Sequence, residues 1–133
     1  MIYALDSNIL SYMVKKDKGV QASFKNAVDG NHLYAIPPLV YYEVKRWLIL
    51  KGADIQLKEF TELYKNSIKA EMNIDVWEKS IELYTGLRST GKSTDDADIF
   101  IAAYCIVNGY VLVTNNVKHF EAIDELDIIN WKN

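Results

Sequence analysis

Two short apolar runs, each ending on a carboxylate or amide, constrain this chain most. Tyr110-Val111-Leu112-Val113-Thr114 runs straight into Asn115-Asn116, and Ile2-Tyr3-Ala4-Leu5 runs into Asp6. Continuous apolar runs of this length read as strands buried on both faces, which is the habit of a parallel sheet. Between them the apolar spacing turns helical. Ile9, Leu10 and Met13 share a face after Asp6, and Ser7 or Asn8 is placed to cap that helix. Lys15-Lys16-Asp17-Lys18-Gly19 is a polar break. Helical spacing resumes over 20–29 and stops at Gly30-Asn31. His32 to Ile36 reads as a second strand, and Pro37-Pro38 opens a helix over 39–51. Residues 55–69 and 75–89 repeat the helical period and are expected to form a hairpin packed on the main body. A helix starts near Asp95 and stops at Asn108-Gly109, where both residues tolerate the left-handed conformation. Residues 117–123 form a turn or short helix, and 128–131 a last short strand. Strands alternating with helices predict an α/β fold, a three-layer α/β/α sandwich around a parallel sheet of four to five short strands.

Composition bounds the function. With 133 residues the chain is read as one domain over 1–133, long enough to bury a core. Hydrophobic residues at 50% and charged residues at 25% match ordinary globular usage and exclude disorder. Fifteen basic against 18 acidic residues give a net charge of −3, which argues against a sequence-independent nucleic-acid coat. The single Cys105 excludes an internal disulfide and a cysteine zinc site, and its apolar surroundings predict a buried thiol. No apolar run approaches the roughly 20 residues of a spanning helix. Nor does Met1-Ile2-Tyr3 open a signal peptide, so a soluble cytoplasmic protein with no membrane association is expected.

The chemistry belongs where parallel strands end, because ligands of open α/β sheets bind at the carboxyl edge. Asp6 ends the first strand. Glu43 follows the second, inside the helix that Pro37-Pro38 opens. Asp95, Asp96 and Asp98 occupy the first turn of the helix at 95–107, and Asn115 and Asn116 follow the strand at 110–114. Carboxylates brought together cost free energy unless protons or cations compensate. A hard divalent cation such as Mg2+ or Mn2+ with oxygen ligands is the natural compensation. It can lower the pKa of a water and neutralise a phosphoryl group, which suggests phosphodiester hydrolysis. Each acid also has a structural reading. Asp95 and Asp96 fit helix caps or dipole partners, and Ser93 with Asp96 has capping-box spacing. Glu43 can pair with a neighbouring Lys or Arg, and Asp6 can cap the helix after it. Asp98 is followed at once by Ile-Phe-Ile-Ala-Ala and is harder to explain as a solvated charge. No phosphate loop, dinucleotide fingerprint or G-x-S-x-G elbow occurs. The aspartyl-phosphatase D-x-D pair is broken by Asn8.

These motifs together resemble PIN-domain nucleases. Leu5-Asp6-Ser7-Asn8-Ile9-Leu10 is similar to the family's opening motif. Asp98 to Ala103 is similar to its third-acid helix, and Gly109 to Asn116 with His119-Phe120 to its fourth motif. Glu43 falls where the second acid is expected. The likeness covers nearly the whole chain and is greatest to VapC-type toxins of bacterial toxin–antitoxin pairs. It implies a magnesium- or manganese-dependent endoribonuclease. Asp6, Glu43 and Asp98 are its acidic core and metal ligands, and Asn116 stands where many relatives carry a fourth aspartate. Asp96, Ser7, Thr114 and Asn115 are auxiliary. Asp6 and Asp98 would hold the metal, and Glu43 would position and deprotonate the attacking water. That chemistry leaves 5′-phosphate and 3′-hydroxyl ends.

The resemblance further implies an RNA substrate, with transfer RNA one option, a homodimer and a cognate antitoxin. The antitoxin would cover the apolar hairpin or the groove beside Glu43. Two rivals are a PIN nuclease of RNA processing and a PIN-like interaction module. Intact acids speak against the module, and the compact single domain favours the toxin. Lys15, Lys16, Lys18, Lys45, Arg46, Lys92 and Lys118 flank the acidic segments and are candidates for phosphate contacts. Tyr41, Tyr42 and Trp47 could stack on bases or pack in the core. Setting Asp6, Glu43, Asp96 and Asp98 aside leaves 14 acidic residues against 15 basic ones. The acidity is therefore concentrated in one pocket.

Overall fold

A computed structural model describes residues 1–133. Four parallel strands form one sheet in the order β2-β1-β3-β4, with β1 at Ile2–Leu5, β2 at Leu33–Ala35, β3 at Val111–Val113 and β4 at Ile128–Ile129. The elements between β1 and β2 are α1 (Ser7–Val14) and α2 (Lys18–Asp29). Four helices follow β2: α3 (Pro38–Leu50), α4 (Asp54–Lys65), α5 (Ile74–Ser89) and α6 (Asp96–Asn108). The short α7 (Val117–Phe120) links β3 to β4. Helix α1 packs with α2, α3 and α4, while α5 and α7 pack against α6, so helices cover both faces of the sheet. The expected three-layer α/β/α architecture is what the chain adopts. The core is one cluster that includes Ala4 and Leu5 of β1, Ile9 and Leu10 of α1, Ile101 to Cys105 of α6, and Leu112 and Val113 of β3.

The expected helix over 55–69 ends at Lys65. Ile68 instead forms a parallel bridge with Ala35, and its N–H donates to the Tyr34 carbonyl at 2.9 Å. The chain outside β2 thus gains a rudiment of a fifth strand, because the edge of β2 has open backbone groups that a passing segment can satisfy. The expected hairpin of the next two helices does not form. Helix α4 lies on α3 and α1, and α5 lies on α6. The apolar period located both helices, but each buries its stripe against a different partner. Of the three cap candidates for α1, Asp6 takes the role rather than Ser7 or Asn8. The second helix starts earlier than expected, at Lys18, because Asp17 accepts from Val20 N–H at 3.0 Å. Gly109 takes the left-handed conformation at φ 71° and stops α6, as its sequence predicts. Cys105 is fully buried, and burial pushes its thiol pKa up.

Candidate active site

The register of the sheet builds the site. Leu5 pairs with Val113, and the ladder continues one step, with Asp6 N–H donating to the Val113 carbonyl at 3.0 Å. Asp6 and Thr114 are therefore adjacent at the carboxyl edge of the two central strands. Both are buried, Asp6 at 4% exposure and Thr114 at 0%. A buried carboxylate needs donors, and Asp6 has three. Ser7 N–H donates to Oδ1 at 2.8 Å, and Oδ2 accepts from Thr114 Oγ1 at 2.8 Å and Asn8 Nδ2 at 3.1 Å. Thr114 Oγ1 accepts in turn from Asn116 N–H at 3.0 Å and Asn8 Nδ2 at 3.3 Å. Asn8 Oδ1 accepts Asn115 N–H at 2.8 Å. Asn8 therefore bridges α1 to the segment after β3. In sequence Asn8 stands out as a cap candidate, a break in a D-x-D pair and a member of the opening motif. Its place two residues after Asp6, in the first turn of α1, is the signal for this bridging role.

Glu43 stands one and a half turns into α3, which packs on α1. Ser7 Oγ donates to its Oε1 at 2.8 Å, so Ser7 links Asp6 to Glu43. Asp98 lies in the first turn of α6. Burial raises its pKa, the nearby His119 opposes the rise, and the charges of Asp6 and Asp95 add to it. His119 Nδ1 sits 3.2 Å from Asp98 Oδ2. Asp95 is the N-cap residue of α6, yet its side chain makes no cap hydrogen bond, and the Ser93–Asp96 capping box does not form. The exposed Asp96 makes no ion pair. Asn116 is exposed and tied in by its backbone alone, its N–H donating to Thr114 Oγ1 and its carbonyl accepting from His119 N–H at 3.0 Å. Asn115 serves the fold: its Nδ2 donates to the Tyr12 hydroxyl, and its Oδ1 accepts from Asn130.

The basic residues divide. Lys16 is held by Glu59 at 2.7 Å, Lys45 by the Tyr41 hydroxyl at 2.7 Å, and Arg46 lies over the Tyr42 ring at 4.7 Å. Lys15 and Lys51 both lie over the Trp47 ring, which lines a small pocket with Ser7, Asn8, Ser11 and Glu43. Tyr41 stacks on Phe60 and Tyr64 and packs, partly buried, against the core. Only Lys92 and Lys118 share a cavity with an acid of the proposed core, Asp98, and Arg88 and His119 join them there.

No group of three or more His, Cys, Asp or Glu side chains is gathered as metal donors. The oxygen donors offered are Asp6 and the electrostatically coupled Asp98, with Glu43 reached through Ser7. Magnesium is commonly held by one or two carboxylates with waters and substrate phosphates completing its shell. The donor set fits that ion and excludes a sulfur- or imidazole-rich transition-metal site.

A PIN domain family model matches residues 3–126. The chain belongs to the PIN-domain family. Among its relatives, "Ribonuclease VapC2" of Rickettsia felis is 28% identical over 135 residues, spanning 98% of each chain. "Ribonuclease VapC1" of Haemophilus influenzae strain R2866 is 28% identical over 142 residues, again spanning 98% of each. Among solved structures, VapBC2 from Rickettsia felis, bound to a DNA fragment from its promoter, superposes with a TM-score of 0.89 at 25% identity. That match covers 99% of this chain and 100% of the other. The PIN fold brings Asp6 and Asp98, 92 positions apart in sequence, near enough for the charge of one to act on the other. No helix of the chain is long and apolar enough to cross a membrane.

Proposed function

We propose that this PIN domain is a metal-dependent endoribonuclease, the toxin of a VapBC-like toxin–antitoxin pair acting in the cytoplasm. The observation that carries the reading is the buried Asp6, held by Ser7, Asn8 and Thr114 beside Asp98 at the carboxyl edge of the sheet. Full-length similarity to proteins named as VapC ribonucleases supports the RNA substrate and the toxin role. A divalent cation bound by Asp6 and Asp98 supplies charge neutralisation at the phosphate and a more acidic water. The chain's own residues do the rest. Asp6 is fixed by its donors, so its geometry is set before substrate arrives. Glu43, held by the Ser7 hydroxyl, orients a water and accepts its proton. The water oxygen bonds to phosphorus, the bond from phosphorus to the 3′ oxygen breaks, and that oxygen takes a proton from solvent. The products are a 5′-phosphate and a 3′-hydroxyl, because the 2′-hydroxyl does not attack. Asn116 contributes hydrogen bonds at the rim without charge.

Two surfaces suit the partners this reading requires. Helix α5 exposes Ile74, Trp77, Ile81 and Tyr84 along one stripe, which a second copy of the chain would cover. A groove of about 640 Å³ lined by Met13, Phe24, Val28 and Leu63 would take an apolar antitoxin segment. The test is cleavage of a labelled single-stranded RNA, with transfer RNA among the substrates. Activity should require Mg2+ or Mn2+, vanish with chelator and fall at least 100-fold in Asp6→Asn and Asp98→Asn. If those variants cut as fast as the parent, the assignment is wrong.

A further inference from the structure

The cavity on the α5 side of Asp98 has no role in the chemistry above. It measures about 930 Å³ and is polar, and Asp98 forms part of its wall. Arg88, at the end of α5, lines it with Lys92 of the following loop and Lys118 of α7. None of these three cations takes part in an ion pair. Arg88 is held through its side chain and Lys92 through its backbone. Arg88 stacks its guanidinium over the Tyr84 ring at 5.0 Å. Lys92 N–H donates to the Leu87 carbonyl at 2.9 Å, and Gly91 at φ 74° makes the left-handed turn that allows it. This six-to-one closure ends α5 and fixes where the lysine leaves the chain.

We infer that Arg88, Lys92 and Lys118 form a phosphate-binding subsite for the RNA strand flanking the scissile bond, with Arg88 its anchor. This rests on the ribonuclease reading. Asp95, Asp98 and Glu121 line the same concavity, yet none of them pairs with Arg88, Lys92 or Lys118, which leaves the three cations open to an anion. Arg88 is suited to lead, since its planar fork can take two phosphate oxygens at once and its stacking fixes the orientation beforehand. The occupant must also tolerate Asp95, Asp98 and Glu121 in the wall. A phosphodiester strand does so, because its scissile phosphate is to be brought to Asp98 with the cation while neighbouring phosphates occupy the cavity. The subsite therefore acts in binding and positioning rather than in bond breaking.

The test uses the full chain and a 5′-fluorescein-labelled single-stranded RNA, in EDTA to keep the strand uncut. Binding is followed by anisotropy from 50 to 200 mM salt, conditions chosen to span the range where phosphate contacts dominate. Arg88→Gln should weaken binding roughly ten-fold, the worth of a charge-assisted hydrogen bond. The variant Arg88→Gln, Lys92→Gln, Lys118→Gln should flatten the plot of log K against log salt by about 2, near 0.7 per phosphate contact on a single strand. A charge-matched control, Lys25→Gln, Lys58→Gln, Lys65→Gln, alters exposed lysines of α2 and α4 and should lose much less. With Mn2+ added, the cavity variants should raise KM while kcat stays near the parent's, and Arg88→Lys should recover only part of the loss. An unchanged affinity and salt slope in the triple variant, with the parent binding and cutting normally, overturns the subsite alone. An equal loss in the control does the same. Retained RNA binding with lost binding of an acidic antitoxin peptide assigns the cavity to protein instead. A parent that neither binds nor cuts RNA overturns the ribonuclease reading itself.

Discussion

Thr114→Val is the substitution that most directly tests how the site is held. The Thr114 side chain is fully buried, and its hydroxyl sits between an acceptor and two donors: it donates to Asp6 and accepts from Asn116 N–H and Asn8 Nδ2. Valine matches the shape and removes the hydroxyl. The buried carboxylate then loses one charge-assisted hydrogen bond, worth about 1.5–3 kcal/mol, and the Asn116 N–H loses its acceptor. A net cost of about 2–3 kcal/mol corresponds to a fall in Tm of roughly 8–12 °C, at about 4 °C per kcal/mol for a chain of this length. Thr114→Ser keeps the hydroxyl and deletes a buried methyl, which costs about 1 kcal/mol and roughly 4 °C. The assay is thermal unfolding followed by circular dichroism in chelator. In an Asp6→Asn background the acceptor is neutral, such bonds are about half as strong, and the cost of Thr114→Val should shrink by about 1 kcal/mol. The reasoning is refuted if Thr114→Val melts within about 2 °C of the parent, or if the serine variant is the less stable of the two.

Four further outcomes follow from the same geometry. Burial raises the Asp98 pKa, so its ionisation costs stability; that cost is absent below the unfolded carboxylate pKa and fully present above the raised one. In chelator, Asp98→Asn should therefore melt at or above the parent at pH 7, with the gap closing on acidification to about pH 3, and a markedly lower Tm at pH 7 would contradict this. Mn2+ at about 100 times its Kd should stabilise the parent by roughly 2.7 kcal/mol, and Asp6→Asn far less, as thermal shift would read. Asn116→Asp adds a carboxylate at the rim and should lower the half-saturating Mn2+ concentration for cleavage; an unchanged metal titration would remove Asn116 from the site. Asn73→Ala removes the acceptor for Val76 N–H at the start of α5 and should cost about 1 kcal/mol without altering cleavage rates.

Sequence alone exposes what is local. The apolar runs ending at Asp6 and Asn115 carry both central strands, because a strand buried on two faces needs an unbroken apolar run. Gly109 marks its own helix stop through the left-handed φ. What sequence does not expose is which partner satisfies each group. The period at 55–69 cannot tell that Ile68 leaves the helix to bridge Ala35, since the reward lies in the open edge of β2. Ser93 and Asp96 have capping-box spacing, yet the loop geometry sets them apart from that use. Lys16 looks like a phosphate contact beside the first acidic helix, but Glu59 of α4 takes it. Long flexible side chains find their partners in three dimensions, so charge runs in sequence are weak guides.

The two central acids differ in how they are held, and the difference bears on how the site would work. Asp6 is locked by three donors on rigid elements, at the ends of a strand and a helix. Asp98 has burial against it, no backbone donor to its carboxylate, and one exposed imidazole at 3.2 Å. A carboxylate satisfied beforehand gains little from a new cation, whereas a partly desolvated one gains more, because the cation offsets the desolvation already incurred. In the proposed site Asp6 would therefore set geometry and Asp98 would supply much of the drive for ion binding. His119 competes for the same Oδ2 oxygen, so cation binding should release the imidazole toward the cavity that Arg88, Lys92 and Lys118 share. The imidazole N–H is then free to donate to a phosphate of the strand only once the ion is in place.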